Sequence, residues 1–113
     1  EGIALYAGEH PDAIIHTNHY LTEEFKHFET GSLPDSFARH QRMTHLVQEH
    51  WEHITVDLLK EMLADHEGEP AGICRHGIRG MHTTSGHNAE PLKGVLHIRR
   101  GHGCLGSWQT YRV

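Results

Sequence analysis

Apolar residues recur at helical spacing in two stretches of the chain. From Phe37 onward, Met43, Leu46, Val47 and Trp51 share one side of the helical period, with polar residues between them. This predicts a helix from about 36 to 52. The loop Gly31 to Ser36 precedes it, and Asp35 or Ser36 can cap its free N–H groups. Thr55 is placed to cap a second helix. Its stripe is Val56, Leu59, Met62 and Leu63, widened by Leu58, and Gly68 followed by Pro70 gives a stop signal. Two helices joined by so tight a link predict an antiparallel helical layer.

Elsewhere the texture is that of strands. Ile3 to Tyr6, closed by Gly8 and Pro11, and the β-branched run Ala13 to Asn18 predict two strands, joined as a hairpin through Ala7 to Asp12. Ala71 to Cys74 and Gly94 to Ile98 are further candidates. Ser107 to Val113 alternates Trp108, Thr110 and Arg112 against Gln109, Tyr111 and Val113, the strand period. Thr83 to Pro91 is polar and predicts a loop. The order is strands, two helices, strands: an α+β arrangement with helices on one side of a largely antiparallel sheet.

Composition narrows the picture. A chain of 113 residues suits one small domain or a piece of a larger one, and can bury one modest core. The net charge of −5 opposes nucleic-acid binding, and Arg99-Arg100 is too short to form a basic stripe. No apolar run approaches a membrane span. Two cysteines, Cys74 and Cys104, with no leader sequence, predict reduced thiols in the cytoplasm. Glu1-Gly2 stands directly before Ile3 with no initiator Met, which predicts a cut inside a longer protein.

Several segments carry candidate chemistry. His16-Thr17-Asn18-His19-Tyr20-Leu21 ends a predicted strand, where a carboxamide can donate to a developing oxyanion. The plainer alternative is that Asn18 caps a turn between solvated histidines. His16 and His19, or His45, His50 and His53, could ligate a metal. Their spacing fits no closed site and there is no Cys-x-x-Cys, so solvated side chains are expected and no metal or cofactor is assigned. Arg39 and Arg42 lie on neighbouring turns near a helix N-terminus, where the dipole opposes cations. They need a function or a partner such as Glu23, Glu24 or Asp35. Cys74 and His76 share a strand face, but too far apart along it for a direct hydrogen bond, which favours a buried structural cysteine. Thr83 to His87 is not a nucleophile elbow, and Gly101 to Cys104 precedes a strand, so it does not cradle phosphate.

Taken in order, these pieces resemble the acyl-coenzyme A:6-aminopenicillanic acid acyltransferase family of N-terminal-nucleophile hydrolases. His16 to Leu21 is similar to its "HTNHFL" element, and Leu33 to Arg42 to a helix start shared with choloylglycine hydrolases. Asp65-His66 followed by Gly72 to His76 resembles its "SICRH" region, and Gly101 to Trp108 its "GPPC" tail. The resemblance implies part of a four-layer αββα sandwich, with residues 1–113 as the C-terminal part of one acyltransferase or amidohydrolase domain. It implies that Asn18 matches the oxyanion-hole residue. It implies that Arg39, rather than Arg42, matches the cation beside a nucleophilic Cys whose own α-amino group is the base. Residue 1 is Glu, so that Cys belongs to an N-terminal segment or chain, the expected partner. The expected substrate is a small-molecule amide or acyl thioester, with neither nucleic acid nor membrane involved; self-association into a homo-oligomer stays open. Two competing readings are a non-catalytic, His-rich metal-binding module and a small interaction domain.

Overall fold

The computed structural model describes residues 3–8, 10–31, 34–78 and 80–113. Glu1 and Gly2, Glu9 of the predicted hairpin, and Ser32 and Leu33 of the predicted loop lie outside them. The chain is α+β. Among the described residues three α-helices, α1 (Glu23–Lys26), α2 (Pro34–Glu49) and α3 (Val56–Met62), precede five strands. β1 (His76–Ile78) and β2 (Met81–His82) form a two-stranded antiparallel ribbon. β3 (Ser85–Glu90), β4 (Val95–Arg100) and β5 (Trp108–Arg112) form a three-stranded antiparallel meander in that order. Among the described residues, no helix is long and apolar enough to cross a membrane.

The helical periodicity is realised. α2 turns Leu46 and Val47 inward, and Met62 of α3 meets them, 2% exposed. Ala13, Ile15, Met43, Trp51, Ile54, Leu58, Leu59 and Ile73 pack around this cluster. Burying a side chain such as Met62 contributes about 1.5–3 kcal/mol. Thr55 caps α3 as its position predicted, its hydroxyl accepting the Leu58 N–H at 3.1 Å. α3 ends at Met62 with Leu63 as cap, earlier than Gly68. Gly68 instead makes a later turn, its carbonyl accepting the Ala71 N–H at 2.9 Å. The link between α2 and α3 holds a short 3-10 turn, Trp51–His53.

The strand predictions divide. β4 and β5 form close to where the pattern put them. Thr83 to Pro91, expected as a loop, contains β3, which pairs residue for residue with β4 from Ser85↔Arg100 to Glu90↔Val95. Ala71 to Cys74 is a bend, not a strand, and neither Ile3 to Tyr6 nor Ala13 to Asn18 enters a sheet. Among the described residues the predicted hairpin is represented by an isolated bridge, His10↔Ala13. Those residues have β propensity but no neighbour among the described strands to satisfy their backbone.

Candidate functional site

Ser36, third in α2 and 1% exposed, gathers the 17–19 loop onto the helix start. The Asn18 N–H donates to Ser36 Oγ at 2.8 Å. Ser36 Oγ–H donates to Thr17 Oγ1 at 3.1 Å, and the Thr17 hydroxyl donates to the Ser36 carbonyl at 3.0 Å. His19 Nδ1 lies 2.9 Å from Ser36 Oγ. With the Ser36 proton given to Thr17, every contact is satisfied when His19 carries its proton on Nδ1. The ring stacks on Phe37 with centroids 3.9 Å apart. Burial, then the neighbouring His40, holds its pKa below the ordinary 6.5, so the neutral form is favoured.

One turn further along α2, Arg39 Nη2 donates to Asn18 Oδ1 at 2.7 Å. A guanidinium only donates, so the atom facing it is the amide oxygen and the Asn18 NH₂ is turned away from Arg39. Arg39 Nη2 also lies 3.5 Å from Asp35 Oδ2, which accepts Arg75 Nη1 at 2.7 Å. One buried carboxylate is thus shared by two guanidiniums. Burial and the charge of Arg75 lower the Arg39 pKa and Asp35 raises it, but the group stays cationic.

Beside this cluster lies an open cavity of about 360 Å³, lined by His16, Thr17, Arg39, Met43, Leu63, Ile73, Arg75, His82, Thr83, Thr84, Ser85 and Arg99. Arg99 is 1% exposed, with its guanidinium 5.1 Å from the Trp108 ring centre. Its Nε and Nη1, with Arg39 Nε and Arg75 Nε, are buried and find no hydrogen-bond partner among the described residues. Two glycines make its slot. A Cβ on Gly86 would stand 2.6 Å from Arg99 Nη2, and one on Gly106 2.6 Å from Arg99 Cγ. Three guanidiniums against one carboxylate give this wall an excess positive charge suited to an anionic oxygen.

The sequence profile of the acyl-coenzyme A:6-aminopenicillanic acid acyl-transferase family matches residues 4–85. The chain belongs to this family. Membership points to acyltransferase- or hydrolase-type function. A search among curated proteins found no match.

Within the stretch matched to the acyltransferase family, Asn18 and Arg39 are brought into direct contact. Arg42, expected on the same helix face as Arg39, goes elsewhere. Its Nε and Nη2 bind Asp65 at 3.0 and 2.8 Å, and Nη2 reaches Glu67 at 2.9 Å. The Arg42 hydrogen bond, first among several causes, holds the Asp65 carboxyl below its ordinary value. The partners of the two arginines are therefore Asp35, Asn18, Asp65 and Glu67, not Glu23 or Glu24. His16 joins the cavity wall and His19 is buried, while His45 and His50 each approach Glu49, at 3.7 and 3.9 Å. None of these, nor His53, joins a group of three convergent ligand atoms among the described residues.

The separation expected of Cys74 and His76 rested on a strand that does not form; the bend brings Cys74 Sγ to 3.6 Å from His76 Nε2. Asp35, one of the partners expected for the arginine pair, does meet Arg39, at the i,i+4 spacing of a helical ion pair. Sequence reasoning missed the roles of Ser36, Arg75 and Arg99 at the site. Arg99 left no trace, because its burial depends on Gly86, Gly106 and Trp108, which are gathered around it by the pairing of β3 and β5 with β4.

Proposed function

We propose that this chain is the C-terminal part of a cysteine N-terminal-nucleophile amidohydrolase or acyltransferase, acting on small-molecule amides or thioesters. A segment outside residues 1–113 supplies the nucleophilic Cys and completes a four-layer αββα sandwich. The observation that carries this reading is the 2.7 Å hydrogen bond from Arg39 to the Asn18 side-chain oxygen. It fixes the amide orientation and leaves the NH₂ group for a second partner. In the reaction the incoming thiolate attacks the carbonyl carbon. The carbonyl electron pair moves to oxygen, where Asn18 Nδ2–H donates to it. Collapse expels the amine or thiol, protonated by the α-ammonium of the nucleophile, and leaves an acyl-enzyme thioester for water or another acceptor. Arg39 beside the thiol stabilises its anionic form.

Three further features support the reading. Neither Cys74 nor Cys104 is among the described residues that line the cavity, which is in keeping with a thiol supplied by another segment. Ile3, Leu5 and Ile14 are exposed on chain that pairs with no strand among the described residues, as expected of segments awaiting neighbours. The cationic wall fits a substrate with a carboxylate near the scissile bond. Both cysteines are free thiols, which fits a cytoplasmic setting. The test is Asn18→Ala in the full-length protein. Turnover should fall by about 10²–10³; unchanged turnover removes Asn18 from the mechanism.

A further inference from the structure

Four metal-ligating side chains converge on one point away from Asn18. They are His66, in the turn after α3, Cys74, in the bend, His76, at the start of β1, and Cys104, in the loop between β4 and β5. One ligand atom from each lies within 4.8 Å of every other. His76 Nε2 is central: 3.0 Å from His66 Nε2, 3.2 Å from Cys104 Sγ and 3.6 Å from Cys74 Sγ. The two sulfurs are 3.9 Å apart. A single ring nitrogen has one lone pair or one proton, and so can satisfy only one of three such neighbours by hydrogen bonding. A cation at the centre satisfies all four.

The ligand types and their spacing both fit zinc. Zinc holds thiolate sulfur at about 2.3 Å and imidazole nitrogen at about 2.0–2.1 Å in a tetrahedron. That geometry requires ligand-to-ligand separations of about 3.8 Å for S–S, about 3.6 Å for S–N and about 3.3 Å for N–N. The measured 3.9 Å, 3.6 and 3.2 Å, and 3.0 Å lie within about 0.4 Å of these values. We propose that His66, Cys74, His76 and Cys104 bind one zinc ion as a closed, structural site. Both thiols release their protons to solvent on ligation.

The surrounding chain is shaped to hold these ligands. The Cys74 N–H donates to the Asp65 carbonyl at 2.9 Å, which ties the Cys74 segment to the residue before His66. Gly103 presses on the end of α3 so closely that a Cβ would sit 2.2 Å from the Leu63 carbonyl oxygen. That contact delivers Cys104, from a distant loop, to the other three. His102 stacks on His76 with ring centroids 4.2 Å apart. The ion would join four segments around a small apolar core. It would also steady Arg75, which lies between two ligands and reaches across to Asp35.

The test uses full-length protein prepared without a polyhistidine tag. Zinc content after exhaustive dialysis is expected near one equivalent per chain. Cobalt substituted for zinc should give the intense ligand-field bands of a tetrahedral site and a thiolate-to-cobalt charge-transfer band. Cys104→Ser, at the exposed ligand, and His66→Gln should each weaken zinc binding at least tenfold, whereas His45→Gln and His53→Gln should leave it unchanged. These readouts do not depend on turnover, so they stand or fall separately from the assignment of Asn18. Protein that keeps no zinc overturns the proposal. So does zinc lost equally from the His45 or His53 variants, or a cobalt charge-transfer band that survives Cys104→Ser with undiminished intensity.

Discussion

Replacing Ser36 by Ala tests how the 17–19 loop is seated. The change removes one oxygen that accepts from the Asn18 N–H and from His19 Nδ1 and donates to Thr17. The Thr17 hydroxyl keeps its bond to the Ser36 carbonyl, a backbone group the mutation leaves in place. The Asn18 N–H loses its acceptor, while His19 Nδ1 keeps Thr17 Oγ1, 3.2 Å away, as a longer alternative. A buried donor left unpaired costs about 1–3 kcal/mol. Asn18 has solvent nearby, and His19, 8% exposed, gives up the shorter of its two contacts. The expected loss is about 1–3 kcal/mol, equivalent to a fall in Tm of about 4–18 °C for a domain of this size. Denaturant unfolding followed by Trp51 and Trp108 fluorescence should show a lower midpoint with an unchanged slope. In full-length protein, turnover should fall about ten- to a hundredfold, because Asn18 loses its backbone anchor. A destabilisation below about 0.5 kcal/mol, the range of a neutral surface change, would refute the reasoning.

Three other outcomes are expected. The His19 pKa is depressed, chiefly by burial and then by His40, with His16 and Arg39 adding and Glu29 opposing. Below about pH 6.5 the unfolded chain takes up more protons at this site, so its contribution to stability is full above that pH and fades as pH falls through the folded pKa. NMR titration of the ring should give a value below 6.5; one at or above it contradicts the burial argument. Thr55→Ala removes the α3 cap and should cost about 1 kcal/mol in unfolding experiments, whereas no loss would mean water caps Leu58 equally well. Gly86→Ala forces a methyl against Arg99 and Trp108 and should cost about 1–3 kcal/mol; a wild-type midpoint would show that the Arg99 slot is looser than its contacts indicate.

The helices were legible because one-sided burial writes itself into sequence. Leu46 and Val47 in α2 and Met62 in α3 recur at the helical period, and Thr55 is a strong capping residue. β4 and β5 were legible for the same reason. β3 was not, because Ser85 to Glu90 contains no β-branched or large apolar residue; its pairing with β4 fixes it, and pairing is a property of the partner. The N-terminal runs erred the other way. Their β-branched residues promised strands, but Ile3, Leu5 and Ile14 stay exposed and unpaired. At the site, Asn18 and Arg39 came from family resemblance, while Arg75 meets Asp35 across 40 positions and Arg99 is enclosed by neighbouring strands. No local pattern encodes such a meeting.

The glycine sleeve around Arg99 divides the cations of the cavity wall into two kinds. Arg39 and Arg75 share Asp35, so an arriving anion must compete with a resident carboxylate for them. Among the described residues Arg99 has no such resident; the glycine slot and the Trp108 ring keep it in place. Recruiting it displaces no counter-ion. Redesign toward uncharged molecules would therefore begin at Arg75, whose neighbour can rebalance the change, and would leave the sleeve untouched.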